Sequence, residues 1–119
     1  KRRAVEFLFR AQQAEGGWGG SATVVASLEE TANAVKALGT WLSRCDASSE
    51  LTAKARHAVA AGAAWLVERT RKGTEFPAAP IGLYFARLWY HERLYPVIWT
   101  LGALQQAEAV MDTPKNDPP

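Results

Sequence analysis

Arg3-Ala4-Val5-Glu6-Phe7-Leu8-Phe9-Arg10-Ala11-Gln12-Gln13-Ala14-Glu15-Gly16-Gly17-Trp18 divides into two parts with different physics. Val5, Leu8, Phe9 and Gln12 recur at helical spacing, and no Gly or Pro interrupts the run, so the spacing predicts a helix over 3–14. Gly16-Gly17-Trp18-Gly19-Gly20 then stops it, because glycine tolerates the left-handed backbone that helix ends need. These glycines do not form a phosphate loop: no strand precedes them and no Lys-Ser/Thr follows. A Gln at a helix end can bond backbone groups that lack partners at a neighbouring helix end, and a Trp can cover that amide. Gln12 and Trp18 therefore read as structural rather than catalytic, with Glu15 in the same clamp.

Downstream, Ser27 and Glu30 form an S-x-x-E capping box, each side chain bonding the other's free backbone N–H. It opens a second helix running to about Ser43, with Leu28, Thr31, Ala32, Val35, Leu38 and Leu42 on one face. Cys45-Asp46-Ala47-Ser48-Ser49 is a polar break with new N-cap candidates. A third helix is expected over 50–71, with Leu51, Ala55, Ala58, Val59, Gly62, Trp65 and Leu66 as its stripe. Its many alanines let a neighbouring helix come close. His57 has no acidic or metal-ligating partner at i±3 or i±4, only Lys54, and reads as a solvated or packed histidine.

Two prolines and a glycine make 72–80 a loop. Ile81 to Pro96 then gathers five aromatic rings beside Arg87, His91, Glu92 and Arg93. That composition suits a cavity wall or a closing seam, or else a core segment with its charges outside. Over 81–90, β-branched and aromatic residues permit a short strand, though irregular structure or a short helix is the expectation. A last helix is predicted over 94–111, with Leu94, Val97, Ile98, Leu101 and Leu104 inward and Pro96 in its first turn. Residues 112–119 hold three prolines and read as a flexible tail.

The chain repeats itself. Shifted by 58 positions, Ala4 falls on Gly62, Phe7 on Trp65, Leu8 on Leu66 and Trp18 on Phe76. With eight more residues inserted, Thr31-Ala32-x-Ala34-Val35-x-Ala37-Leu38 falls on Val97-Ile98-x-Thr100-Leu101-x-Ala103-Leu104. Each unit is a helix, a Gly- or Pro-containing turn and a second helix, over about 3–44 and 50–111. Such units stack to bury a continuous core, and two copies alone leave an apolar face open.

Composition narrows the classes. The 119 residues suffice for one small domain. At 48% hydrophobic and 22% charged the chain is too apolar for disorder. A net charge of +2, without a basic block, gives no case for nucleic acid. Five Trp imply large apolar surfaces or a ring-lined pocket. The single Cys45 excludes an internal disulfide and suits a reducing compartment. No apolar run approaches the roughly 20 residues that span a bilayer, and no secretory leader is expected. The start Lys1-Arg2-Arg3, without Met, is read as part of something longer, in the cytoplasm or at the membrane periphery.

Arg3-Ala4-x-x-Phe7-Leu8-x-x-x-Gln12-x-x-Glu15-Gly16-x-Trp18 resembles the QW repeat of squalene–hopene and related triterpene cyclases, with its signature positions filled. Ser27 to Val35 resembles the inner helix that follows that repeat, and Glu75-Phe76-Pro77 through Leu94-Tyr95-Pro96 resembles the C-terminal end of these enzymes. The resemblance covers about residues 3–108. The second repeat departs from it: Thr70 stands where Gln is expected and Phe76 where Trp is expected, which predicts a looser clamp. The resemblance implies an all-α fold, a partial α/α toroid of two helical hairpins of the terpenoid cyclase/prenyltransferase type. It implies an apolar isoprenoid substrate, cyclised through cations that ring faces stabilise by roughly 0.5–2 kcal/mol each. It makes Phe76, Tyr84, Trp89 and Tyr90 cavity candidates, and Gln12, Glu15, Gly16 and Trp18 the structural motif. Leu88 and His91 are not tyrosines in one register of that wall.

The family protonates its substrate with an aspartate-rich D-x-D-D motif. This chain has aspartates only at 46, 112 and 117, so no catalytic residue is assigned, and the segment is read as a C-terminal part without activity by itself. No cofactor or metal is expected. Protein prenyltransferase subunits share the toroid and bind zinc, but Asp46 directly follows Cys45 and the Asp-x-Cys spacing is absent, with His57 and His91 the remaining ligand types. The Gly-Cys-Gly-Glu-Gln signature of complement-like thioester domains is also absent. A non-catalytic repeat module is the rival reading. The expected partner is the rest of a longer cyclase-like chain, or a second copy through the open apolar face.

Overall fold

The computed structural model describes residues 2–21, 23–45, 49–78, 81–83, 88–90 and 94–111, with the segments 81–83 and 88–90 described by their backbone. Four helices make the body: α1 (Arg2–Ala11), α2 (Leu28–Ser43), α3 (Glu50–Arg69) and α4 (Tyr95–Met111). Between α3 and α4 lies a small antiparallel hairpin, β1 (Ile81–Leu83) with β2 (Leu88–Tyr90), in the register Ile81↔Tyr90, Gly82↔Trp89 and Leu83↔Leu88. Among the described residues the fold is all-helical apart from this hairpin. Here the strand-forming content of Ile81–Tyr90 prevails over the irregular or helical expectation. The tail expected over 112–119 lies outside the described residues, as do Asp46, Arg87, His91, Glu92 and Arg93.

α1 stops three residues short of the expected Ala14. The Gln12 N–H still donates to the Leu8 carbonyl (3.1 Å), but the Gln13 N–H turns to the Gly17 carbonyl (2.9 Å). A closed glycine turn thus takes over donors that the helix would have used.

α2 begins at its Ser27 cap, whose Oγ accepts from the Glu30 N–H at 3.2 Å. The capping box is half formed. The Ser27 hydroxyl donates to the Glu30 carboxylate, while the Ser27 N–H donates to the Trp18 carbonyl at 3.0 Å. The glycine turn therefore supplies the acceptor that Glu30 was expected to supply.

α3 opens with a complete box between Ser49 and Thr52. It ends at Thr70, where Arg71 (φ 47°), Lys72 (φ 59°) and Gly73 (φ 86°) follow in left-handed conformations that turn the chain away.

Val35, Leu38, Val59 and Leu66 are fully buried at the centre of the core, with Leu28, Ala55 and Ala103 around them. The expected faces of α2 and α3 point inward. α3 runs antiparallel to α2, and Gly62 lets them close: a Cβ there would stand 2.5 Å from Val35 Cγ2 and 2.8 Å from Trp18 Cζ3. α2 and α4 lie side by side and parallel. A Cβ on Gly39 would meet Gln106 Cγ at 2.6 Å and one on Gly102 would meet Lys36 Nζ at 3.9 Å, so the numbers rise together. The Arg56 guanidinium ties α3 to the end of α4 by donating to the Val110 carbonyl (2.7 Å).

α4 turns a different face inward from the one its bulky residues predicted. Pro96, Thr100, Ala103, Ala107 and Val110 are buried, whereas Leu94, Ile98 and Leu101 are 62%, 57% and 53% exposed. Five of the nine buried positions of α2, Leu28, Ala32, Val35, Gly39 and Leu42, lie 68 positions before the five buried positions of α4. Matching apolar letters pairs the two helices two positions earlier, at 66. Small residues on α4 let it approach α2, and α4 is apolar on most of its circumference, so its sequence carries no periodic signal to choose a face.

Candidate functional site

The best-defined constellation is the turn after α1. Gln12 is half-buried, and its Nε2 donates to the Gly16 carbonyl (2.9 Å) and to the Ala58 carbonyl (3.1 Å). The second acceptor lies in the middle of α3, not at a helix end, so Gln12 staples its own turn to a neighbouring helix wall. Trp18 is fully buried. Its Nε1 donates at 2.8 Å to the Leu8 carbonyl in the last turn of α1, which also accepts from the Gln12 N–H. Its main chain is held from α2: the Trp18 N–H donates to Thr31 Oγ1 (2.9 Å), and the Thr31 hydroxyl donates to the Trp18 carbonyl (3.2 Å). The Gln12 amide, the Trp18 indole and the Trp18 main chain thus tie this turn to α3, α1 and α2 respectively.

Gly16 serves this turn by conformation and by space. Its φ is +102°, and a Cβ would stand 2.6 Å from the Ala61 carbonyl oxygen. Glu15 stands outside the bonds. Its side chain is exposed and borders an open surface cavity of about 610 Å³ beside Trp65 and Arg69. Thr31 was read only as an inward-facing position. A hydroxyl on an otherwise apolar face was the available signal for its pairing with Trp18. Arg56 gave no signal, because its acceptor is fixed only by tertiary packing.

The second turn is closed differently. Thr70, at the position matching Gln12, is buried; its hydroxyl donates to the Leu66 carbonyl (2.8 Å) and accepts from the Gly73 N–H (3.1 Å). Its own carbonyl accepts from the Thr74 and Glu75 N–H groups (2.8 and 2.9 Å). A short side chain satisfies its own helix end and reaches no other helix, so the turn is tied locally.

Of the cavity candidates, Phe76 is half-buried and packs on the core. Trp89 and Tyr90 lie on β2 opposite Gly82 and Ile81. Tyr84 lies outside the described residues. Tyr95 and Trp99 stack on α4, ring centroids 4.9 Å apart and planes within 14°. His57 is exposed on α3 and Cys45 is half-buried after α2. Among the described residues no three His, Cys, Asp or Glu side chains come together to hold a metal, and no helix is long and apolar enough to cross a membrane.

No protein-family model, curated protein or solved structure matches this chain.

Proposed function

We propose that this chain is the C-terminal part of a squalene–hopene cyclase-like α/α toroid. It would supply helices and an aromatic wall, drawn from Phe76, Tyr84, Trp89 and Tyr90, to an apolar cavity for cation-mediated polyene cyclisation. The observation that carries the reading is the clamp. The Gln12 amide ties the turn after α1 to α3, and the Trp18 indole ties it back to α1, so both signature positions hold that turn through their side chains. The parallel pairing of α2 with α4, and the return of one buried pattern at a fixed offset, support two stacked hairpins. Without an Asp-x-Asp-Asp acid the segment would not start the reaction, and it would act within a longer chain that brings its own acid.

The test is the mass of the native polypeptide in source cells, detected with an antibody raised to this segment. A product of several hundred residues is expected. A product near 13.0 kDa would overturn the reading, as would cyclisation of squalene by the isolated chain.

The exposed Leu94, Ile98 and Leu101 favour a second reading, a non-catalytic repeat module that works by association.

A further inference from the structure

α2 is built to lie between two helices. One flank, at Lys36 and Gly39, receives α4. At 100° per residue the positions Ala34 and Ala37 face the opposite flank, and there α1 and α2 enclose a groove of about 330 Å³. It is lined by Ala11, Ala34 and Ala37 together with Phe7 and Trp18, and Glu30 of α2 borders it as well. Phe7 is 59% exposed, so the wall is apolar and open. A groove of alanines between two helices fits bulky aliphatic side chains projecting from a third.

α4 carries such side chains. Leu94, Ile98 and Leu101 stand at i, i+4 and i+7, directly opposite the face that α4 packs inward, and each is more than half exposed. Residues 94–101 include no charged side chain, so the ridge itself brings no charge into the groove. The chain thus carries a ridge at one end and a groove that fits it at the other. The α2–α4 contact already shows how a parallel neighbour is received along α2.

We propose that the groove between α1 and α2 receives the α4 ridge of a second copy of this chain, head to tail. The inference rests on the stacked-hairpin part of the function proposed above and not on its cyclase chemistry. The contact is heterologous. A pair leaves one ridge and one groove unused, so assembly continues with concentration or closes into a ring.

Sedimentation of the 119-residue chain over a wide concentration range tests this with two variants. Ile98→Glu spoils the ridge and Ala37→Arg fills the groove; both positions are exposed, and circular dichroism checks that helices persist. Leu94→Glu and Asn33→Trp serve as the second pair if either first variant loses its helices. The wild-type chain is expected to pass beyond two copies as concentration rises. Each variant alone weakens association by about thirtyfold or more, the effect of losing a central anchor. Mixed, the two variants form a one-to-one pair and nothing larger, because one intact ridge meets one intact groove.

A folded wild-type chain that remains monomeric would overturn the inference and leave the toroid reading intact, with the groove filled by an earlier hairpin of a longer chain. Pairing of Ala37→Arg with itself would also overturn it, since that is a symmetric α4–α4 contact. A 13.0 kDa native product that assembles head to tail would instead overturn the toroid reading and leave this inference standing.

Discussion

Trp18 and Thr31 exchange two hydrogen bonds across thirteen residues, the Trp18 N–H to Thr31 Oγ1 at 2.9 Å and the Thr31 hydroxyl to the Trp18 carbonyl at 3.2 Å. Thr31 lies in the first turn of α2, so this exchange locks the glycine turn to the start of that helix. Thr31→Val keeps the shape and removes the acceptor. The Trp18 carbonyl still receives the Ser27 N–H, but the buried Trp18 N–H is orphaned. The expected loss is about 1–3 kcal/mol in urea unfolding, with Thr31→Ser losing less. A valine variant as stable as the wild type would show that the exchange contributes nothing.

Gln12 gives a sharper chemical test, because both its bonds use the same donor group. Gln12→Leu removes two donations to carbonyls and is expected to cost about 1–3 kcal/mol. Gln12→Glu should cost more at pH 7, since a carboxylate offers no N–H and faces two carbonyl oxygens. That environment holds the introduced carboxyl above its unfolded value of about 4.3. Its penalty is full above the folded pKa and shrinks as pH falls towards 4, where the protonated acid can donate once. The measurement is the stability gap to wild type across pH, and a gap that widens on acidification would refute the geometry.

Much of this molecule was legible in its sequence where one face was apolar and the other polar. The inward stripes of α2 and α3, the Ser27 cap and the glycine stop after α1 follow from local rules, whereas the polar break at 45–49 offered several cap candidates without choosing Ser49. The Gln–Trp spacing pointed to a clamp, and Gln12 and Trp18 form one, yet its acceptor at Ala58 and its partner at Thr31 are long-range facts that no spacing encodes. α4 was misread for a physical reason. Choosing the bulkiest stripe assumes that large residues are inside, but this helix approaches α2 through Thr100, Ala103 and Ala107 and leaves Leu94, Ile98 and Leu101 outside. The hairpin at Ile81–Tyr90 was underestimated because each strand has only three residues, too few for an alternation to register.

Gly62 is where helix propensity and packing oppose each other most directly. An alanine in a helix interior gains about 1 kcal/mol over glycine. Here its Cβ would meet Val35 Cγ2 at 2.5 Å and the Trp18 ring at 2.8 Å, and overpacking of this kind costs about 1–3 kcal/mol. Gly62→Ala is therefore expected to be destabilising despite its propensity. Val35→Ala clears one of the two contacts, so the double variant should be more stable than the two single losses added together. Thermal unfolding of the four proteins completes the cycle, and strict additivity would mean that the two side chains do not touch.

The face of α4 can be tested by a pair of substitutions whose effects exchange between the two registers. Thr100 is buried and its hydroxyl has no hydrogen-bond partner among the described residues. A Val there has the same shape and nothing to desolvate, so Thr100→Val is expected to stabilise by about 1 kcal/mol. Ile98→Thr acts on a side chain that is 57% exposed, and it should stay within about 0.5 kcal/mol of wild type in monomeric protein. If α4 instead lay in the register that its bulky residues suggest, Thr100 would be on the surface and Ile98 in the core. Thr100→Val would then be neutral, and Ile98→Thr would cost several kcal/mol by leaving a cavity and a buried hydroxyl. Urea midpoints at low protein concentration decide between the two. They also bear on the head-to-tail contact, because only an α4 with Ile98 outside has a ridge to offer the groove of another copy.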